Sequence, residues 1–192
     1  MFIECLIIID MQNEFLLETG NFSKNHIPND VLINNVISII DMFNEKQKPI
    51  IFIKSEYELI TTDNTLDKFK VGTHCGKQPC CSKGSEGAEI HQSILNKIKD
   101  NDIVITKKWF SAFRETNLKE VLDSLQIKKI YFAGVKTNVC VKTTMIDAIN
   151  NGYDVTIIDD CTAATNSNKH ILALTSIKEL GGTIIKNINS LY

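Results

Sequence analysis

The sequence lacks several features that mark common classes of protein. Its apolar runs are too short for a membrane-spanning helix, and with three prolines and no low-complexity tract it shows no linker between domains. Neither a Gly-x-Gly-x-x-Gly nor a Walker A sequence occurs, so a nucleotide-binding Rossmann enzyme has little support. A formal net charge of −2 provides no basic surface for nucleic acid or anionic lipid. We therefore expect neither nucleic acid nor a membrane as a partner.

The N-terminal stretch has no features of a secretory leader. Glu4 and Asp10 interrupt its apolar residues, and no basic region precedes them. We therefore expect the six cysteines to be reduced thiols in a cytoplasmic protein. With 192 residues, 43% of them hydrophobic and 23% charged, the composition is typical of one globular domain spanning 1–192.

Short apolar runs alternate with amphipathic segments along the chain. A continuous run such as 6–9 indicates a strand buried on both faces, while apolar residues three and four apart indicate helices. This alternation predicts an α/β fold with three α-β-α layers and a Rossmann-like, doubly wound, mostly parallel sheet of six strands. The predicted strands are 6–9, 49–54, 103–106, 130–133, 154–158 and 183–185. The predicted helices are 31–45, 89–98, 115–125, 138–150 and 169–180.

The segment 130–147 places a cysteine at a turn from a strand to a helix. The strand stops near Gly134, and a helix with Asn138 as its N-cap would hold Cys140 in its first turn. Unpaired backbone N–H groups and the helix dipole favour a thiolate there and can bind an oxyanion. A buried structural cysteine is the alternative at this position.

Two further reactive side chains follow predicted strands. Asp10 ends the first strand and Lys107 the third, and the carboxyl ends of parallel strands share one edge of a sheet. Cys140 is predicted to be the nucleophile, Lys107 the charge that favours its thiolate, and Asp10 the general base and then general acid.

Four segments in the correct order carry a family resemblance: 10–15, 83–90, 107–113 and 134–141. The chain resembles the isochorismatase-like cysteine hydrolase superfamily along nearly its whole length. The resemblance implies a triad of Asp10, Lys107 and Cys140, with Lys107 chosen over Lys108 by its distance from the Ser-Ala-Phe run. Because members that act on isochorismate lack the cysteine, it also implies hydrolysis of a small amide or carbamoyl C–N bond through a thioester.

The resemblance extends to the substrate pocket. It implies a cis peptide bond between Val135 and Lys136, and an oxyanion hole formed by the backbone N–H groups of Lys136 and Cys140. Phe15 corresponds to an aromatic residue that lines the pocket. Trp109 and Val135 complete the predicted substrate contacts, although an interface or core role for Trp109 stays open.

Nicotinamidases of this superfamily carry an Asp-x-His metal pair just after the second strand. Here the segment 54–58 reads Lys-Ser-Glu-Tyr-Glu, so we expect no metal and no other cofactor. The irregular region 55–88 is predicted to be a substrate-side loop. Within it His74, Cys75, Cys80 and Cys81 leave a zinc site or an oxidisable thiol pair as alternatives.

The role of the chain as an enzyme is one of two possibilities at this point. The chain could instead be a catalytically silent relative that binds a small molecule or serves assembly. Relatives are commonly dimers or tetramers, so we expect a homo-oligomer. Arg114 could anchor a substrate carboxylate, lie at the surface or form a subunit contact. The sequence does not identify the substrate.

Overall fold

The computed structural model describes residues 3–58 and 80–187. Six strands form one sheet in the order β3-β2-β1-β4-β5-β6, and every neighbouring pair is parallel. The strands are β1 Ile3–Ile9, β2 Ile50–Ser55, β3 Ile103–Lys107, β4 Ile127–Val135, β5 Asp154–Ala163 and β6 Thr183–Ile185.

Helices cover both faces of the sheet. The apolar sides of α2 and α3 pack on one face, and those of α4, α5 and α6 pack on the other. This arrangement confirms the predicted three-layer α/β fold. The helices are α1 Asn13–Leu16, α2 Asn29–Glu45, α3 Gln92–Leu95, α4 Leu118–Ser124, α5 Lys142–Asn150 and α6 Ser167–Glu179.

Alternation along β1 shows why its sequence is uniformly apolar. Leu6 and Ile8 belong to the core on the α2 face, whereas Ile7 and Ile9 belong to the core on the α5 face. All four are at most 1% exposed, as expected for a central parallel strand covered by helices on both sides. The strand order reverses between β1 and β4, so the carboxyl ends of these two strands flank the crevice where ligands bind in such sheets.

Every predicted helix differs in its bounds, and the predictions at 89–98 and 138–150 differ most. The helix expected at 89–98 is shorter, and α3 spans only Gln92–Leu95. It begins after His91, whose side chain caps the helix by accepting a hydrogen bond from the backbone N–H of Ser93. The segment Thr137–Val141 is a π-helix, with the N–H of Val141 donating to the carbonyl of Lys136 over 3.3 Å. Asn138 therefore lies inside a helical turn and is not the N-cap that we predicted.

Candidate active site

The parallel register brings three polar side chains to one edge of the sheet. Asp10 directly follows β1, and Ser55 at the end of β2 is paired with Lys107 at the end of β3. Asp10 adopts a φ of 53°, in the left-handed region that Asp tolerates better than most residues. Backbone conformations of this kind cluster at functional sites.

The Lys107 ammonium is the centre of the cluster. Its Nζ lies 2.9 Å from Asp10 Oδ2, 2.6 Å from Ser55 Oγ and 3.4 Å from Cys140 Sγ. Ser55 in turn donates to Asp10 Oδ1 over 3.0 Å. Lys107 and Asp10 have no exposed side-chain surface. Asp10, Lys107 and Cys140, which the sequence predicted after separate strands, thus lie together, and the Lys107 ammonium contacts both of the others.

The Gln12 side chain fixes the backbone of Ser55 by two hydrogen bonds. Its side-chain oxygen accepts the backbone N–H of Ser55 over 2.8 Å, and its Nε2 donates to the carbonyl of Ser55 over 2.7 Å. The same Nε2 donates to the carbonyl of Ala88 over 2.7 Å. A fully buried amide with all these partners fixes the strand end that carries the Ser55 hydroxyl.

The turn that carries Cys140 approaches β1 closely. A Cβ atom at Gly134, whose φ is 114°, would lie 2.0 Å from the carbonyl oxygen of Ile9, so only glycine fits. The peptide bond between Val135 and Lys136 is cis. Beyond the turn, Thr144 Oγ1 donates to the carbonyl of Cys140 and accepts the N–H of Ala112. The cysteine is therefore held by both β1 and the Ser-Ala-Phe segment.

The pKa of Cys140 is shifted in the direction opposite to the sequence-based prediction. Burial raises the pKa of the Cys140 thiol, and the charge of Asp10 raises it further, while Lys107 lowers it by less. Burial by itself would lower the pKa of Lys107, but attraction to negative charge, first of all the Asp10 carboxylate, outweighs burial and raises it. These shifts favour a neutral thiol beside the ion pair of Asp10 and Lys107, where the sequence predicted a thiolate.

Cys140 opens onto a cavity of about 280 Å³. Phe15, which was predicted to contact substrate, and Lys136, whose backbone N–H was predicted for the oxyanion hole, both lie in its wall. The lining combines aromatic rings, two lysines and small polar groups from five parts of the fold: Phe15, Phe22, Ser55, Tyr57, Phe110, Lys136, Asn138, Val139, Cys140, Thr165 and Lys169.

Two predicted substrate contacts lie outside this lining. Val135 is fully buried in the core on the α2 face. Trp109 is covered by the guanidinium of Arg114, whose central carbon lies 3.5 Å from the ring centroid. Arg114 itself is exposed and stacks on Trp109 in a cation–π contact, so neither residue reaches the cavity wall.

Comparison with known proteins identifies the family. The family described as isochorismatase domain matches residues 4–188. The chain belongs to the isochorismatase family. It is 30% identical to Nicotinamidase 3 of Arabidopsis thaliana over 91% of this chain and 80% of that protein. It is also 30% identical to a probable inactive nicotinamidase of the same plant, over 92% of this chain and 88% of the other.

Solved structures of isochorismatase-family proteins share the fold. The nicotinamidase/pyrazinamidase PncA of Bacillus subtilis superposes with a TM-score of 0.83 and 26% identity, covering 96% of this chain and all of that one. The fold is therefore that of the family throughout the matched residues.

The segment 54–58, where the resemblance implies the metal pair of family nicotinamidases, contains Ser55 and Tyr57 and no histidine. Ser55 Oγ accepts a hydrogen bond from the Lys107 ammonium, a cation that repels a second cation at this place. Tyr57 is buried, and burial raises the pKa of its phenol, which stays protonated. Two neutral hydroxyls beside an ammonium do not fit a divalent metal ion. Elsewhere in 3–58 and 80–187, no group of three or more His, Cys, Asp or Glu could hold one.

The substrate-side loop 55–88 is described only in part, and its described residues include the cysteine pair. Cys80 and Cys81 are buried, and their sulfur atoms lie 3.9 Å apart as free thiols. The N–H of Tyr57 donates to the carbonyl of Cys81, which links this pair to the cavity wall. His74 and Cys75, which we considered as zinc ligands, lie outside the described residues.

A second buried polar chain supports the Cys140 turn from α6, and the sequence offered no signal for it. His170 Nδ1 lies 2.9 Å from Thr137 Oγ1, and His170 Nε2 lies 2.6 Å from Asp159 Oδ1. Thr137 is the first residue of the π-helix that carries Cys140. The contacts thereby couple the middle of β5 and the start of α6 to the turn that carries Cys140. In the part of the chain that is described, no helix has the length and apolarity that crossing a membrane requires.

Proposed function

We propose that this isochorismatase-family protein hydrolyses the C–N bond of a small amide, with Cys140 as the nucleophile. One observation carries the proposal: the Cys140 thiol lines a cavity while Lys107 Nζ, 3.4 Å from its sulfur, is paired with Asp10. A nucleophile, a base and a cation within contact of one another are the parts that acyl transfer through cysteine needs.

In the first step Asp10 takes the thiol proton. Asp10 Oδ2 lies 2.9 Å from Lys107 Nζ, and the Asp10 carboxylate acts on the Cys140 thiol through both its charge and a side-chain hydrogen bond, so it is the proposed acceptor of that proton. The sulfur then attacks the amide carbonyl, and the Lys107 charge stabilises the anionic sulfur as it forms. The carbonyl oxygen becomes an oxyanion, for which the backbone N–H groups of Lys136 and Cys140 are the proposed donors.

In the second half the C–N bond breaks. Asp10 returns the proton to the departing nitrogen, which leaves as ammonia or an amine, and a thioester remains on Cys140. Asp10 then accepts a proton from water as that water attacks the thioester, and the carboxylic acid product leaves with the thiol restored. The sum is amide plus water to acid plus amine, with no other reactant.

A silent binding protein is the alternative, and similarity to a probable inactive nicotinamidase favours testing it. Against it stands the energetic cost of the cluster. Lys107 and Asp10 have no exposed side-chain surface, so each ion loses about several kcal/mol of hydration free energy. Only an ion pair with good geometry offsets that loss. A protein that only binds a ligand has no use for the Cys140 thiol in contact with the ion pair of Asp10 and Lys107.

The test is single-turnover acyl-enzyme formation with a panel of small amides. We expect intact-mass spectrometry to show an acyl adduct on Cys140 and a coupled assay to show release of ammonia. Cys140→Ala should lower the rate by about a thousandfold or more. Cys161→Ala, which removes a buried thiol on the α2 face of the sheet, serves as the matched control. Amide turnover that survives in Cys140→Ala would refute the proposal.

A further inference from the structure

Asp10 lies behind the wall of the cavity onto which Cys140 opens. Its side chain has no exposed surface, and neither Asp10 nor Lys107 belongs to the described lining of that cavity. In the proposed mechanism Asp10 returns a proton to the departing nitrogen, which is in the cavity, and later accepts one from water. A proton moves between groups that are in hydrogen-bond contact, either directly or through an intervening group. Asp10 therefore needs a carrier that contacts both the carboxylate and the cavity.

Ser55 makes the first of these contacts. Its Oγ donates to Asp10 Oδ1 over 3.0 Å and accepts from Lys107 Nζ over 2.6 Å. A side-chain hydrogen bond also joins Ser55 to Tyr57. A serine hydroxyl has one proton and two lone pairs, so these three partners use its whole hydrogen-bonding capacity. Because the Ser55 proton goes to Asp10, the Tyr57 phenol is the donor in the bond between the two residues.

Tyr57 places the next hydroxyl at the cavity. It follows Ser55 by two residues, and side chains two apart in an extended segment lie on the same side. Its N–H donates to the carbonyl of Cys81 over 3.0 Å, and its carbonyl accepts the N–H of Lys83 over 2.8 Å, so its backbone is fixed. Tyr57 is 4% exposed and lines the cavity together with Cys140. Since the phenol proton points to Ser55, the phenol oxygen can accept a proton from a molecule in the cavity.

The surroundings of Tyr57 keep its phenol neutral. Burial raises the pKa of Tyr57, and the positive charge of Lys107 lowers it by less. Cys140 and Asp10 also act electrostatically on this hydroxyl, which is therefore close to the reacting groups. A neutral hydroxyl that accepts one proton while it gives up another transfers a proton without becoming charged. Tyr57 has the properties of such a carrier.

We propose that Tyr57 is a further catalytic residue, which exchanges protons with the cavity and is connected to Asp10 by the Ser55 hydroxyl in a proton relay. The inference rests on the proposed amidase function and adds the path of its protons. As the C–N bond breaks, the Tyr57 proton goes to the departing nitrogen, and the Ser55 proton goes to Tyr57. At the same time the proton on Asp10 goes to Ser55, so only Asp10 changes charge. Asp10 holds that proton on Oδ1, because Oδ2 faces the ammonium of Lys107.

The reverse transfer occurs when water attacks the thioester. Water gives a proton to Tyr57 as its oxygen bonds to the carbonyl carbon, the Tyr57 proton goes to Ser55, and the Ser55 proton goes to Asp10. The hydrogen bonds of the resting site already have this direction, from Tyr57 to Ser55 to Asp10. The tetrahedral intermediate then expels the Cys140 sulfur, which takes the proton from Asp10 and becomes a thiol again.

The experiment uses 4-nitrophenyl acetate, whose leaving group departs as a stable anion and needs no proton. Stopped-flow release of 4-nitrophenolate measures acetylation of Cys140, and intact-mass spectrometry of the acetylated full chain over time measures hydrolysis of the thioester. We expect Tyr57→Phe to change the rate of acetylation by less than about twofold and to slow hydrolysis by about tenfold or more. With amides the same variant should also slow acylation, because the nitrogen leaves only with a proton.

Two further variants assign the effect to the relay. Tyr131→Phe removes the hydroxyl of another buried tyrosine of the same core, outside the described cavity lining, and should leave both rates unchanged. Ser55→Ala breaks the connection to Asp10 and should also slow hydrolysis of the thioester. If both hydroxyls belong to one path, the double variant of Ser55 and Tyr57 should be slower than the slower single variant by less than about twofold. Thermal unfolding identifies any variant that has lost its fold.

A solvent isotope measurement tests the relay in the unmodified protein. The rate of thioester hydrolysis in mixtures of H2O and D2O should fall along a curve, because several protons move together, whereas a single transfer gives a straight line. A straight line would overturn the relay and leave the amidase proposal intact, as would a folded Tyr57→Phe that slows both steps equally or neither. Acetylation that is unchanged in Cys140→Ala would contradict the nucleophile, and the amidase proposal and the relay would both be overturned.

Discussion

Asp10 and Lys107 form an ion pair of 2.9 Å with neither side chain exposed to solvent. The pair is electrically neutral as a unit, so the thiol of Cys140 beside it experiences an attraction to the ammonium and a repulsion from the carboxylate. Burial and the carboxylate prevail and raise the pKa of the thiol. In the proposed mechanism the cysteine therefore acts only when a base removes its proton at the moment of attack.

Asp10→Asn should lower the pKa of Cys140 while abolishing amide hydrolysis. The change removes the negative charge that raises this pKa and keeps the Lys107 charge that lowers it, so thiolate forms at lower pH. Hydrolysis is lost because the base is gone. The check is the rate of iodoacetamide labelling at Cys140 against pH, by peptide mass spectrometry. In the unmodified protein the midpoint should lie above a free thiol's value of about 8.5.

Lys107→Met should shift the pKa of Cys140 in the opposite direction in the same labelling experiment. It removes the cation that lowers the pKa of Cys140, so labelling near neutral pH should slow further. Cys161, whose pKa is raised to about 12 chiefly by burial, is the internal reference in every variant. A midpoint for Cys140 that is the same in both variants would contradict the arrangement of charges described above.

Ser55→Ala should weaken catalysis and stability together. The hydroxyl accepts from Lys107 over 2.6 Å and donates to Asp10 over 3.0 Å, and its loss leaves both buried charges short of a partner. We expect a loss of about 1–3 kcal/mol in the free energy of unfolding and about tenfold or more in kcat/KM. Urea denaturation and the amidase assay measure the two effects. Ser38→Ala, on the exposed side of α2, should change neither.

Gly134→Ala should destabilise the fold far more than Gly152→Ala. Both glycines have positive φ, but an added methyl at Gly134 meets the Ile9 carbonyl oxygen at 2.0 Å, whereas nothing lies within 4 Å at Gly152. We expect about 1 kcal/mol from backbone strain at Gly152 and about 3 kcal/mol or more at Gly134. Equal urea midpoints for the two variants would show that β1 and β4 separate easily at the active site.

Thr137→Val should impair turnover more than substrate binding. It removes the hydroxyl that lies 2.9 Å from His170 Nδ1, leaving a buried ring nitrogen unpaired at a cost of about 1–3 kcal/mol. The turn that presents Cys140 would lose its tie to α6, so kcat should fall while KM changes less. Thr175→Val, on the exposed side of α6, is the matched control. An unchanged kcat with a large rise in KM would place Thr137 in substrate binding.

The prediction of the fold succeeded where local pattern and burial coincide. Continuous apolar runs are forced by a sheet covered on both faces, so β6 matched its predicted bounds and β1 and β4 were longer only at their ends. The prediction failed at Asn138, because a π-helical turn depends on a hydrogen bond from Val141 to Lys136 that apolar spacing does not encode. It also failed for the length of α3, where periodicity continued beyond the hydrogen-bonded helix.

The sequence by itself determined the parallel sheet and which side chains stand at its strand ends, because those depend on alternation and on residues next to a strand. Only the tertiary structure decided the rest of the site. The Ser55 bridge, the wall of Lys136 and Lys169, and the placement of Trp109 under Arg114 all join residues far apart in the chain. The raised pKa of Cys140 belongs with them, since burial and opposed charges act through space.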